Sequence, residues 1–335
     1  MKKQSAIWVL LWAISCGWAM AQNVQPVQTY YVPMPEEDLR TFLAAIDTGG
    51  AYAGSDIYNY ISIAAIADDT LIYWDQSENG FEFNFSNPQD LYSAANPDGT
   101  QIWGDGNVTN GAPPGVPGDL ISAGTVIVIE ELVPDSPPGG SVYFGAGDRI
   151  GATKPISVVR AGWGSVRDTL HGGAVEVYDT SNWSTNYIVP LGTDTAGDNS
   201  MFEYVGLFIQ AATDGTTLSI DSDADGTTDD TTTIDQGESY FVSGLQEGAT
   251  VAANHPVQVD VMTGDVGSTY EARYFPLSPE SLWADRYLSP VGTPSSTPNT
   301  QDTGLWLFNP GSAQITVTLE YRTSGNVLTT ATQAV

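Results

Sequence analysis

The sequence predicts an all-β protein made of two repeated β-sandwich-like units packed together, with one short N-terminal helix. Short runs rich in β-branched and aromatic residues recur along the chain, as is typical of strands. Turn-forming residues, 35 Gly and 20 Pro, separate these runs. The stretches 183–192 and 283–292 also share Trp, Tyr, Pro and Gly at identical spacing. One structural unit is therefore used at least twice.

The helix is predicted close to the start of the mature chain. Its apolar residues follow the i, i+3, i+4, i+7 spacing of one helix face: Leu39, Phe42, Leu43 and Ile46. Acidic residues at 36–38 suit the positive end of the helix dipole, and the glycines at 49–50 end the helix. We expect the apolar face to pack on a sheet.

Strands are predicted throughout the rest of both units. In the first unit they fall at 57–67, 70–74, 125–130, 141–144, 156–160, 174–178 and 187–189. In the second unit they fall at 204–211, 216–220, 239–242, 250–252 and 257–262. Each unit holds about seven or eight short strands, enough for one β-sandwich or for two four-stranded propeller blades. A β-propeller-like arrangement is therefore the alternative, and the length of the units favours sandwiches.

The chain divides into five predicted segments. Residues 1–21 form a signal peptide, with two lysines before an apolar run and small residues before the cleavage point. Residues 22–192 form the first β-unit, with the helix and an aromatic insertion at about 75–120. Residues 193–293 form the second β-unit with an aspartate loop, and residues 294–303 form a linker. Residues 304–335 start a further β-module that is incomplete, which predicts a longer natural chain.

Charge and cysteine content exclude several classes of function. Loss of Lys2 and Lys3 with the signal peptide leaves eight of the 10 basic residues against 40 acidic ones, so the formal charge of −30 becomes −32. Such a surface repels nucleic acid and attracts cations. Cys16 is the one cysteine, so the mature chain has no disulfide and no thiol catalysis. We predict a secreted or cell-surface protein with no nucleic-acid partner and no membrane insertion of the mature chain.

The aspartate loop of the second unit is the strongest candidate metal site. Its candidate ligands are Asp221, Asp223, Asp225, Asp229 and Asp230. Alternating carboxylates followed by Gly226 can converge on calcium, a hard cation that takes about six to eight oxygen ligands. Thr232 replaces the glutamate of a standard EF-hand and the flanking segments are predicted strands, so this loop is not an EF-hand. A calcium-clamped hairpin and a solvated acidic turn both remain open.

A second cluster combines carboxylates with aromatic residues around the start of the insertion. Asp75, Glu78 and Glu82 are candidate catalytic carboxylates, since glycosidases use a pair of such groups as acid and as base or nucleophile. Trp74, Phe81 and Trp103 are candidate ligand-binding residues, because aromatic faces stack on sugar rings. The alternative is an ordinary strand end followed by a hairpin, with Asn79-Gly80 as its turn.

Several separate motifs, taken in order, resemble one family. They lie at 31–37, 73–82, 103–106, 154–163, 237–240 and 256–265. Together they are similar to the N-terminal module of large secreted bacterial surface proteins, which is itself similar to the IgGFc-binding-protein N-terminal region. The resemblance implies an extracellular β-rich module that precedes further domains. It carries over neither catalytic residues nor an antibody-binding site.

Three functions follow as hypotheses. The first is an extracellular, non-enzymatic surface or matrix module for adhesion or assembly, with calcium as a stabilising cofactor. Its partner would be an extracellular glycan or protein, or a second copy of the chain. The second is a glycan-active enzyme that uses the carboxylates near Trp74. The third is a carbohydrate-binding module that uses the aromatic insertion.

Overall fold

The computed structural model describes residues 26, 28–111, 116–138, 141–166, 172–268, 272–289, 304–322 and 325–335. The predicted signal peptide, 1–21, and the predicted linker, 294–303, lie outside the described residues. The all-β prediction is confirmed, because several antiparallel sheets accompany one α-helix in the described part. Nowhere in these ranges is a helix long and apolar enough to cross a membrane.

The helix α1 spans Glu36–Ile46, as the spacing of its apolar residues predicts. The strands of the sandwich are β1 (Gln28–Tyr31), β2 (Ile57–Ala65), β3 (Ile72–Asp75), β4 (Gln101–Trp103), β5 (Val126–Val133), β6 (Arg149–Ala152), β7 (Ile156–Gly164) and β8 (Gly173–Val177). Those of the second sheet are β9 (Ser184–Ile188), β10 (Tyr204–Ala211), β11 (Thr216–Asp221), β12 (Asp230–Ile234), β13 (Ser239–Ser243), β14 (Thr250–Gly264) and β15 (Ala272–Pro276). The last hairpin is formed by β16 (Thr316–Arg322) and β17 (Leu328–Ala334).

The first unit is a sandwich of two four-stranded antiparallel sheets. One sheet has the order β1-β6-β3-β4, and the other has the order β5-β2-β7-β8. Every second residue of β2 is buried, as expected for a strand with one face toward a core. Ile61 of β2, Ile150 of β6 and Trp74 of β3 share one core cluster. This core holds the two sheets together.

The second unit curls into a nearly closed, barrel-like sheet. Its strand order is β12-β11-β14-β10-β13, and β9 and β15 also pair with β14. The 15-residue β14 pairs with β11 at one end and with β10 at the other, with an irregularity between Ala252 and Val257. The two end strands approach each other where the Tyr240 hydroxyl of β13 donates to the Asp230 carboxylate of β12. A single core cluster fills the interior.

Helix α1 lies between the sandwich and the barrel-like sheet. Phe42 and Ile46 of the helix share a core cluster with Val175 of β8 and with Phe208 and Met262 of the barrel. The helix therefore contacts both units, whereas the sequence predicted only packing on a sheet. Because apolar area is buried on both sides of it, the helix fixes the sandwich against the barrel.

Candidate functional site

Two of the three candidate ligand-binding aromatic residues lie in the sandwich core. Trp74 of β3 and Trp103 of β4 are 0% and 1% exposed. Their rings are 5.6 Å apart, and Phe144 packs on Trp74 at 5.1 Å. A ring buried between two sheets has no free face for a sugar. We therefore assign these two tryptophans to packing.

Asp75 lies at the end of β3, directly opposite Arg149 of β6. The Arg149 Nη2 and Nε atoms donate to Asp75 Oδ2 at 2.5 and 3.1 Å. The other carboxylate oxygen accepts from Thr100 Oγ1 at 2.9 Å. Burial raises the pKa of Asp75, while the charge of Arg149 and the bond from Thr100 lower it. Asp75 is thus one half of a buried ion pair that ties β3 to β6.

The other two candidate carboxylates contact different segments of the chain. Glu82 Oε1 accepts from the backbone N–H groups of Gln89 and Asp90 at 2.8 and 2.5 Å. Glu78 is exposed, and its Oε1 lies 3.5 Å from the backbone N of Tyr143. Each of the three carboxylates therefore has its own local partners, which is the arrangement of loop-holding groups.

Phe81, the third candidate aromatic, stands at the border between the sandwich and the barrel. Its ring meets Tyr31 edge-on at 5.7 Å, and Arg149 lies 5.2 Å from its centre. A cleft of about 260 Å³ on one side of it includes Asn79, Glu82 and Phe83 in its lining. A hollow of about 520 Å³ on the other side reaches Gln236 and Glu238 of the barrel. Phe81 thus separates two surface depressions.

Phe83 is the most exposed aromatic residue of the described insertion, and the sequence analysis did not select it. Its side chain is fully exposed, at 104% of the reference value. It lines the same cleft as Phe81. The alternation Phe81, Phe83, Phe85 does not identify it, since alternate residues point the same way only in an extended segment. The chain is irregular here, and only Phe85 is buried.

Asp148 organises the insertion, and no sequence signal separates it from the other acidic residues. Its Oδ2 accepts from the Trp74 indole N–H at 2.9 Å and from the Gly145 N–H at 3.2 Å. Its Oδ1 accepts from both the backbone N–H and the hydroxyl of Ser77. Burial, reinforced by the charge of Glu78, raises the pKa of Asp148 well above its ordinary value. This side chain joins the loop after β3 to the loop before β6.

The structure brings three of the five candidate metal ligands together in the β11–β12 hairpin loop. Asp221, Asp223 and Asp225 each offer a carboxylate oxygen, and these oxygens lie within 4.8 Å of one another. Gly226 N donates to Asp221 Oδ2 at 2.8 Å. Gly226 has a φ of 87°, a left-handed conformation that favours glycine. The loop thus folds back over its own first aspartate.

One oxygen of this cluster has no hydrogen-bond partner within the described part of the chain. It is Oδ1 of Asp221, a residue that is only 8% exposed. A buried carboxylate oxygen without a partner is costly unless a cation or water satisfies it. Asp223 and Asp225 are exposed, so the cluster opens to solvent on one side. A cation could enter there and reach the buried oxygen.

Asp229 and Asp230 hold the hairpin instead of facing the cluster. Asp229 Oδ2 accepts from the backbone N–H and the hydroxyl of Ser222 at 2.8 and 2.7 Å. These two hydrogen bonds lower the pKa of Asp229. Asp230 accepts from Tyr240 at the seam of the barrel. The spacing of the aspartates predicts the position of the loop, but it does not predict which of the five carboxylates converge.

A sandwich fixed to a barrel-like sheet places the chain among β-rich modules. The chain matches the family model described as IgGFc binding protein over residues 28–327, and it belongs to that family. No curated protein and no solved structure shows a significant match. The match contains every motif on which the sequence resemblance rests, so that prediction is confirmed.

Proposed function

We propose that the chain is an extracellular, non-enzymatic module that binds a protein partner in adhesion or assembly. The observation that carries this proposal is the family match over residues 28–327. The family is described as IgGFc binding protein, which supports a protein as the partner. The formal charge of −30 favours a well-solvated surface that does not bind nucleic acid.

The roles of the carboxylates near Trp74 support a binding module over an enzyme. A glycosidase needs one protonated and one ionised carboxyl group on either side of the bond that it cleaves. Asp75 is instead paired with buried Arg149, and Glu82 holds the backbone of the insertion. Neither group is free to approach a substrate without losing the contacts that shape the loop.

The exposed rim of the insertion is the proposed binding surface. Phe83 projects from it, and the polar side chains of Asn79, Glu82 and Asp90 line the adjacent cleft. An aromatic anchor surrounded by polar groups is the usual composition of a binding hot spot. The tight local hydrogen bonds of Glu82 and Asp90 keep this rim in a fixed shape, which lowers the entropy cost of binding.

Phe83→Ala is expected to weaken partner binding by tenfold or more, about 1.4 kcal/mol or above. The partner is first captured by cross-linking the native protein in its own extracellular setting, and purified immunoglobulin G Fc is included as a second probe. Affinities are then measured by biolayer interferometry. Phe275→Ala is the matched control, because Phe275 is an exposed aromatic residue on the barrel strand β15.

Two results would contradict the proposal. If an array showed that glycans bind the chain and that Phe83→Ala removes this binding, the carbohydrate-binding function would replace it. Cleavage of a glycan that Glu82→Gln abolishes would establish an enzyme instead.

We also propose that the three clustered aspartates bind calcium and clamp the β11–β12 hairpin. The convergence of Asp221, Asp223 and Asp225 supports this site, as does the unpartnered buried oxygen of Asp221. Five backbone or side-chain bonds within 221–229 already shape the loop, so a cation would enter a preformed turn. Oxygen ligands without nitrogen or sulfur fit calcium better than zinc or copper.

Calcium is expected to raise the melting temperature, because a ligand that binds only the folded state stabilises it. At a concentration 100-fold above Kd the gain is about 2.7 kcal/mol, which is several degrees. The double variant Asp223→Asn/Asp225→Asn should lose this response to calcium and to chelation in differential scanning fluorimetry. The matched control is Asp69→Asn/Asp198→Asn, which removes two exposed carboxylates elsewhere. A melt that calcium leaves unchanged in the unmodified chain would refute the site.

A further inference from the structure

Three stretches of the chain have the sequence Asn-x-Ser or Asn-x-Thr, with a residue other than proline in the middle. They are 84–86, 107–109 and 182–184. This tripeptide is the acceptor of asparagine-linked glycans in the surface loops of secreted proteins. The motif is short enough to arise by chance, so its structural setting has to separate an acceptor site from a coincidence.

Two of the three tripeptides are partly built into the core. In 84–86 the asparagine is exposed, but Phe85 and Ser86 are only 8% and 5% exposed. In 182–184 the middle residue, Trp183, is 7% exposed, and strand β9 begins directly after it. An enzyme that contacts the asparagine together with the hydroxyl residue cannot surround either stretch in the folded chain.

The third tripeptide, 107–109, lies entirely at the surface. All three of its residues are exposed, and Val108 is 63% exposed. Two carboxylates hold the loop that carries it. The backbone N–H of Asn107 donates to Asp105 Oδ1 at 2.8 Å and to Asp119 Oδ2 at 3.2 Å. The tripeptide is thus presented to solvent in a fixed turn.

The side chain of Asn107 is arranged so that its nitrogen can react. Thr109 Oγ1 donates to Asn107 Oδ1 at 2.7 Å, and the backbone N–H of Thr109 donates to the same oxygen at 3.3 Å. Because both groups donate to the amide oxygen, they stabilise negative charge on it and make it easier for Nδ2 to lose a proton. Within the described ranges Nδ2 itself makes no hydrogen bond.

Neither of the other tripeptides combines this hydrogen bond with exposure. Ser86 Oγ also donates to Asn84 Oδ1, at 3.0 Å, but Ser86 is buried. Asn182 is exposed, but in the described part of the chain no hydroxyl donates to its amide oxygen. Only at Asn107 are the asparagine, the hydroxyl and the bond between them all accessible to a second protein.

We propose that Asn107 is a site of asparagine-linked glycosylation on the folded extracellular protein. The donor is a glycan whose anomeric carbon is bonded to a diphosphate leaving group. Nδ2 attacks that carbon, and the carbon–nitrogen bond forms as the carbon–oxygen bond breaks. The diphosphate leaves with the bonding electrons, and Nδ2 gives one proton to a base of the transferase. This inference rests on the extracellular location in the proposed function and does not depend on the binding rim around Phe83.

Glycopeptide mass spectrometry of the protein purified from its own extracellular medium tests the proposal. The peptide that contains Asn107 should carry an added glycan mass, and fragmentation should place that mass on this asparagine. The peptides that contain Asn84 and Asn182 should be unmodified. Thr109→Val, expressed in the same source, removes the hydroxyl from an exposed position and should lose the added mass. Thr109→Ser is the matched control, because it keeps the hydroxyl and should keep the glycan.

Four results would overturn the proposal. An unmodified Asn107 in protein recovered from the medium would exclude the site and leave the proposed location intact. Equal modification of all three asparagines would show that the exposed turn does not select the site. A glycan that remains on Thr109→Val would show that the hydroxyl has no part in the transfer. Recovery of the chain only from inside the cell would refute the extracellular location and this site with it.

Discussion

Replacing Arg149 with Met is expected to lower the free energy of unfolding of the sandwich by about 3–5 kcal/mol. The side chain of Asp75 is only 2% exposed, and Arg149 is the cation that pairs with it. Without Arg149 a carboxylate stays buried with no opposite charge, or it takes up a proton and loses hydrogen bonds. The guanidinium also lies 4.4 Å from the centre of the Phe85 ring and donates to the Glu82 carbonyl, so the insertion should loosen as well.

A double-mutant cycle separates the ion pair from these other contacts. Arg149→Met, Asp75→Asn and the combined variant are unfolded in urea, with tryptophan fluorescence as the signal because Trp74 and Trp103 lie in the same core. The combined variant should be more stable than Arg149→Met alone, since it leaves no unpaired charge. Asp135→Asn is the control: Asp135 pairs with Arg40 at 3.2 Å but is 41% exposed, so its loss should cost at most about 1 kcal/mol.

Purely additive effects in this cycle would show that Asp75 and Arg149 do not interact energetically. An Arg149→Met variant as stable as Asp135→Asn would show that burial of the pair does not matter. Either result would also reopen Asp75 as a group available for chemistry.

Asp260 is expected to make the protein less stable as the pH rises from 5 to 8. This residue of β14 is 0% exposed, and burial raises its pKa to about 7, although the bond from Gln258 and the charge of Arg160 oppose the shift. A carboxyl group whose pKa is higher in the folded state makes its full contribution to the free energy of unfolding at a pH below its unfolded pKa of about 3.9. That stability is lost as the pH rises through the folded value. The free energy of unfolding is lower by about 4 kcal/mol above the folded pKa than below the unfolded pKa, and most of this loss occurs between pH 5 and 8.

The groups that face Asp260 do not reverse this sign. Burial is the main cause that raises the pKa values of Tyr178 and Tyr187, so neither hydroxyl ionises between pH 5 and 8. Asp38 adds to the effect, because burial and the charge of Glu37 raise its pKa to about 6. Its contribution is smaller, since the group is only partly buried.

Asp260→Asn is the variant that tests this prediction, because the amide keeps the shape and carries no charge. Its free energy of unfolding should vary less between pH 5 and 8 than that of the unmodified chain, and Asp148, whose pKa burial also raises, keeps part of the slope in the variant. Asp198→Asn, which removes an exposed carboxylate, should keep the original slope. A stability of the unmodified chain that rises with pH in this window would be incompatible with a buried, protonated Asp260.

Strand prediction succeeded where the residues of one segment determine its conformation. It failed where contacts with residues distant in the sequence determine whether a segment is a strand or a loop. The predicted strand 204–211 coincides with β10, and 216–220 differs from β11 by one residue. The strand predicted at 141–144 is instead a loop. Its aromatic character reflects Phe144, which packs on Trp74 from the loop and whose N–H donates to Glu131. An aromatic residue in a core looks the same in the sequence whether its side chain projects from a strand or from a loop.

The predicted break between 250–252 and 257–262 is also absent. One strand, β14, runs through both segments and contains Pro256. Proline is tolerated in a sheet at bulges, where no ladder bond is required of it, and the pairing of β14 with β9 shifts register between Ala252 and Val257. The sequence shows the proline but not the strands that pair on either side of it.

Local spacing alone determined the β-rich class, the helix at Glu36–Ile46 and the place of the aspartate loop. These features depend on residues a few positions apart, whose geometry is set by the backbone of one element. Only the tertiary structure showed that Asp75 pairs with Arg149 and that Asp230 accepts a hydrogen bond from Tyr240. It also showed that Trp74 and Trp103 are core residues. Those pairings join residues as far as 74 positions apart in the sequence. The chain has 40 acidic residues, and the register of the paired strands determines which carboxylate contacts which partner.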